Sequence, residues 1–382
     1  MLSRLAAFAL VAAVATAAPN RAIETPRVEH LAVPDGGIQP QAAIDSRGTI
    51  HLIYYKGPAS GGDLFYVRRG PGDAAFSAPI RVNSEPGSAI AAGAVRGGRL
   101  ALGRDGWIHV AWNAAHAVEH EGDTITPMWY ARLAPAAHAF EPQRAIGTHT
   151  KNLDGGGTVA ADGAGRVFVV WHAAGPAEGE THRQLLVAES SDDGAHFAAD
   201  RVLATPGGAC GCCGATALVD GAGRLQILYR SAVDGVQRDP SWMTLTGRGA
   251  SSPVHLQAWH LPACPMTTFA LARAGNDLVA AWMVEQQIFT ADLDAAAHVA
   301  TAPSAMSGTA VRNHPALAIN ASGDRLFAWI EGANRSRDGM AAWELRDADG
   351  RPLASRADAG TTPPLSLIAA LARPDRSFLT IY

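Results

Sequence analysis

The chain has 382 residues, 48% of them hydrophobic and 17% charged, with a formal net charge of −4. That is enough apolar material for one large buried core. It carries no basic run, which excludes a nucleic-acid partner, because such partners need clustered Lys and Arg.

The first element is a targeting segment. Arg4 supplies a positive start, Leu5–Ala15 is an uncharged apolar run, and Ala15-Thr16-Ala17 fits a small-residue cleavage signal. The run is too short to span a bilayer as a helix, and no later stretch is long and apolar enough. The expectation is a signal peptide over 1–17 and one mature domain over 18–382. The mature chain is expected to be periplasmic or secreted, with no membrane span after cleavage. Disulfides persist in such a compartment.

A repeat fills the rest. Each copy is a short apolar strand, a turn, and a second apolar strand ending in an aromatic: Tyr54, Trp112, Trp171, Tyr229, Trp282, Trp329 and Tyr382. These aromatics are 47 to 59 residues apart, the size of a four-stranded propeller blade. Asp45, Asp162, Asp220 and Asn320 each lie nine residues before their aromatic, and Gly48, Gly106, Gly165, Gly223 and Gly323 six before. Those residue types tolerate the backbone of a tight hairpin. A second strand pair follows each aromatic except the last. Arg27–Leu31 reads as a spare outer strand that joins the last blade and closes the ring. The expected fold is an all-β, seven-bladed β-propeller, with six blades as the alternative if one repeat is degenerate.

Between the outer strands of the third repeat stands Ser190-Ser191-Asp192-Asp193-Gly194-Ala195-His196-Phe197, or S-x-D-x-G-x-x-F. It resembles the Asp-box of the sialidase (BNR-repeat) superfamily, with degenerate relatives ending at Phe76 and Phe140. The resemblance implies a sialidase-like propeller whose site lies at the end opposite the Asp-box turns. The chemistry it implies is glycoside hydrolysis of exo-α-sialidase type.

The family's arginine clamp, Tyr–Glu nucleophile pair and Asp acid/base carry over incompletely. Arg230 matches the second clamp arginine, and Asp239, after Arg238, continues a similar local pattern. Gly37-Ile38-Gln39-Pro40 stands where the first arginine belongs, and Cys212-Cys213 where the glutamate belongs. Arg312 is near the third clamp position without matching it. An orthodox sialidase is therefore not expected. The expectation is an exported propeller that binds or hydrolyses an extracytoplasmic glycan-type ligand. Asp154, Asp239, Glu285 and Glu331 are the acid/base candidates. Arg230, Arg238, His172, His314 and Asn113 are the ligand-binding candidates.

All four cysteines fall in loops at that same end. Cys210-Gly211-Cys212-Cys213 precedes the fourth repeat, and Cys264-Pro265-Met266 precedes the fifth. One reading is disulfides between the loops, with Cys213–Cys264 as the expected pair. The other is a thiolate site for a soft or borderline ion such as Cu(I) or Zn(II), aided by His172, His314 or Met266. No other cofactor is expected. The second reading allows a different function: a non-catalytic module that depends on metal or thiol, or that docks a protein partner.

Overall fold

A computed structural model describes residues 25–93, 95–120, 122–147, 155–203, 205–333 and 336–382. The signal segment over 1–17 and Asp154 lie outside the described residues. The regular structure of the described chain is almost all β-strand, and none of its helices is long and apolar enough to cross a membrane.

The turns explain the repeat. The side-chain oxygen of Asp45, Asp162, Asp220 and Asn320 accepts the backbone N–H groups two and four residues on, at 2.8 to 3.0 Å. Such a side chain replaces the water that a turn would otherwise need. The glycine three residues on sits at positive φ, +91° at Gly165 for example, where a Cβ would be strained. The strand that follows is buried on both faces, as in Ile108–Asn113 and Val167–Ala173. A strand sandwiched between neighbouring blades is mostly apolar and not alternating, with His109, Asn113 and His172 as buried polar exceptions. Trp112, Trp171 and Trp282 are fully buried at its end.

Seven blade sheets result among the described residues, with one further two-stranded hairpin, Val118–His120 with Asp123–Ile125. Their inner strands are Ile38–Ile44, Arg99–Leu102, Thr158–Ala161, Thr216–Val219, Phe269–Ala274, Arg312–Ile319 and Ala369–Ala372. Each touches the inner strand of the next blade, and that of blade seven touches that of blade one. The repeats at Ala274-Gly275 and Pro374-Asp375 both form antiparallel hairpins, so there are seven blades and not six. In blade seven, Val28–Leu31 pairs in parallel with Phe378–Ile381. Arg373 to Glu29 at 2.6 Å and His30 to Thr380 at 2.7 Å reinforce that joint.

The Asp-box fastens two blades. Ser190 Oγ accepts the N–H of Gly194, and Asp192 accepts the N–H of His196, both at 2.9 Å. Phe197 meets Tyr130 of blade two edge-on at 4.9 Å. Arg132 donates to the Asp193 carbonyl at 2.7 Å, and Arg104 pairs with the Asp193 carboxylate. The Asp193 N–H bonds to Gly165 of the inner hairpin turn, so box and turn share one end of the ring. The opposite end carries the loops that hold the candidate site.

Candidate functional site

At the end where the inner strands begin, the ring encloses a cavity of about 190 Å³. Its polar lining is Gln41, Arg99, Thr216, Thr268 and His314, drawn from five blades. His314 sits at φ +55° where the pairing register slips between Asn313 and Ala316. Such a bulge re-aims a side chain. Its Nδ1 is 3.5 Å from Thr268 Oγ1. Burial, followed by the charge of Arg99, lowers the His314 pKa to about 3, so the ring is neutral.

Arg99 is the unusual member. It is buried, and its Nη2 donates to the Val95 carbonyl at 3.3 Å. Its Nη1 has no hydrogen-bond partner. Among the described residues no carboxylate pairs with it, and burial alone brings its pKa down to about 10. A guanidinium left in low dielectric without an anion is costly.

Beside the cavity lies the cysteine loop. The Cys210 N–H bonds to the Arg230 carbonyl at 2.8 Å, and Gly214 bridges to Gly156. Cys210 Sγ is 3.3 Å from Cys212 Sγ and 3.6 Å from Cys213 Sγ, and all three sulfurs lie within 4.8 Å of one another. Glu180 and Cys264 form a second group with Cys212, again within 4.8 Å. All four thiols are free, so the expected Cys213–Cys264 disulfide is not formed. Cys213 is turned inward against Cys210, whereas Cys264 is exposed on the far side of Cys212. The loop also contains a C-x-x-C spacing, Cys210 to Cys213, overlapping the C-x-C-C pattern.

Two arginines flank the sulfurs. Arg230 is buried, stacks over Trp259 and Phe269, and donates to the carbonyls of Arg238 and Met283 at 2.7 and 2.8 Å. Burial raises the Cys213 thiol. Hydrogen bonds from Cys210 and Cys212, and then the Arg230 charge, outweigh that and hold it well below its ordinary value. Arg238 pairs with Glu180 at 2.5 Å.

The other predicted residues are spread around this end. Asn113 is buried and holds the entry to blade three, donating to the Gly155 carbonyl at 2.7 Å and accepting the Gly157 N–H at 3.3 Å. His172 is buried beside Gly155 and the Cys213 carbonyl. Asp239 accepts from Gln237 Nε2 at 2.6 Å and the Trp259 N–H at 2.8 Å. Glu331 accepts from Trp329 Nε1 at 2.9 Å and Arg312 Nε at 3.1 Å. Glu285 is exposed in the hairpin turn of blade five. None of these three carboxylates lines the axial cavity. Of the predicted ligand-binding residues, His314 does. Reading loops alone leaves out Gln41, Arg99 and Thr268: Arg99 and Thr268 stand at or beside the start of an inner strand and Gln41 within one.

No protein-family model and no curated sequence matches the chain. Solved structures do. The NanB sialidase from Streptococcus pneumoniae superposes with a TM-score of 0.55 at 7% identity, over 78% of this chain and 66% of that one. The chain thus spans just under two thirds of that sialidase. The Aleuria aurantia lectin, solved with a fucosyl-GlcNAc ligand, gives 0.51 at 11% identity, over 86% and 96%. A protein of unknown function from Dyadobacter fermentans gives 0.50 at 13%, over 84% and 93%. At these identities the likeness is one of architecture alone, and by architecture the chain is a seven-bladed β-propeller similar in fold to that sialidase.

Proposed function

We propose that the chain is an exported propeller that binds an acidic glycan-type ligand at the axial mouth, with a carboxylate on Arg99. The carrying observation is the Arg99 guanidinium, buried at the cavity wall with an Nη1 donor that has no hydrogen-bond partner and, among the described residues, no carboxylate paired with it. A bound carboxylate would supply the missing charge-assisted bonds. Thr268 and Gln41 add hydroxyl and amide groups suited to sugar hydroxyls. The NanB sialidase and the Aleuria aurantia lectin support a glycan reading of this architecture. Binding is favoured over hydrolysis because Asp239 and Glu331 are already engaged by Trp259 and Arg312.

Calorimetric titration with sialyllactose and with lactose tests the reading. The acidic sugar should bind at least tenfold more tightly, and Arg99→Gln should remove that preference. The same substitution should raise the Tm of the unliganded protein, because it deletes an uncompensated buried charge. Equal binding of both sugars, or unchanged binding by Arg99→Gln, refutes it.

A further inference from the structure

The cysteine loop is a distinct construction from the axial cavity, and nothing in the glycan reading uses it. From the geometry we infer that Cys210, Cys212 and Cys213 form a three-thiolate site for one soft metal ion of the Cu(I) class.

Three observations carry this. First, the sulfurs already converge: two separations are 3.3 and 3.6 Å, and the third is within 4.8 Å. Three thiolates around one ion at about 2.3 Å would stand about 4 Å apart, so small side-chain rotations suffice. Second, the number of donors selects the ion. A closed zinc site needs four ligands. Cys264 and Glu180 gather with Cys212 only, and no group of four donors forms among the described residues. Three thiolates without a fourth donor suit a soft monovalent ion.

Third, the charge is prepared. Arg230 is buried against the cysteine loop, its carbonyl accepting the Cys210 N–H at 2.8 Å. Three thiolates and one Cu(I) carry a net charge of −2, which Arg230 halves. Binding deprotonates whatever thiols remain protonated and releases those protons to solvent, with no change of oxidation state. Cys212 is only half-buried, so it is the sulfur through which an ion enters. The exposed Cys264, within reach of it, is an outer donor, whereas Glu180 beside them is held by Arg238 and the Gly211 N–H.

The test uses the whole reduced protein under anaerobic conditions, titrated with Cu(I) against the chelator bathocuproine disulfonate. One Cu(I) per chain should be retained, and Cys212→Ser should weaken it at least a hundredfold. Because Cys210 and Cys213 are buried, Cys210→Ser is read only if its near-ultraviolet circular dichroism matches the parent. Cys212→Ser is more exposed and keeps the experiment decisive. Cys264→Ser should slow loading and leave the stoichiometry at one. Sialyllactose binding should be the same with and without copper, so failure here is separable from failure of the glycan reading. Copper retention that survives Cys212→Ser overturns the inference. So does tighter binding of Zn(II), or protein recovered from its own compartment with a Cys210–Cys213 disulfide and no capacity for copper.

Discussion

Arg238 and Glu180 form an ion pair of 2.5 Å between the loops that join the second and third strands of blades four and three. Glu180 also accepts the Gly211 N–H at 3.2 Å, so one carboxylate pins both a buried arginine and the cysteine loop. Glu180→Ala would strand Arg238 in the interior with only the Gly235 carbonyl as partner. A loss of about 3 kcal/mol is expected in urea unfolding. Cys212 should also be alkylated faster in the native state, because its loop loses its anchor.

The thiols should separate by burial. In reduced, folded, metal-free protein, iodoacetamide should modify the exposed Cys264 first and the half-buried Cys212 later. Cys210 and Cys213 should react only on unfolding. Peptide mass spectrometry over a time course reads the order, and early labelling of Cys213 would contradict this packing.

Acid should act in two separate windows. Burial, followed by Arg132, lowers the His109 pKa to about 3, and His314 is held there too. An unfolded histidine titrates near 6.5. Below that pH the unfolded chain takes up protons that the folded chain refuses. Stability is therefore full above about pH 6.5 and declines as pH falls toward 3. His109→Gln should flatten the decline, as seen in urea midpoints between pH 7 and 4. Sialyllactose affinity should not change between pH 8 and 5 through His314, which stays neutral there.

The turn aspartates act lower. Burial raises the Asp220 pKa, but the Arg224 N–H and the Arg224 and Gln226 side chains outweigh it, and the net direction is down. Its contribution is complete above the unfolded value of about 4 and is lost as pH falls through the lower folded one. Asp220→Asn should remove that dependence. At neutral pH it should cost only about 1 kcal/mol, because blade six already makes the same turn with Asn320.

Trp282 is fully buried at the end of its strand and donates to Gln257 Oε1 at 2.8 Å. Trp282→Ala should cost about 3–5 kcal/mol in reversible unfolding. A milder effect would mean that the blades repack around the gap.

The blades were readable because their demands are local. Asp162 and Gly165 are needed within four residues of each other to make one turn, and Trp171 ends the strand that the turn launches. The axial cavity was not readable in the same way. Gln41, Arg99 and Thr268 come singly from strands far apart in the chain, and only ring closure brings them to one wall. The cysteines lie between these cases. Repeat alignment places Cys213 and Cys264 in adjacent loops at one end. It does not say that one sulfur turns in toward Arg230 while the other faces solvent. Glu180 carries no sequence signal of its own, and its grip on Arg238 and Gly211 depends on how two loops fold back.

The parallel pairing of Val28–Leu31 with Phe378–Ile381 joins residues 350 positions apart, as His30 and Thr380 do. Contacts of that range form late, since the chain entropy of bringing such distant segments together comes due before the joint returns anything. Val28–Leu31 must therefore stay unpaired until Phe378–Ile381 is available to it. During that wait the strand is a sticky edge, and a second copy of the chain is the partner best shaped to capture it.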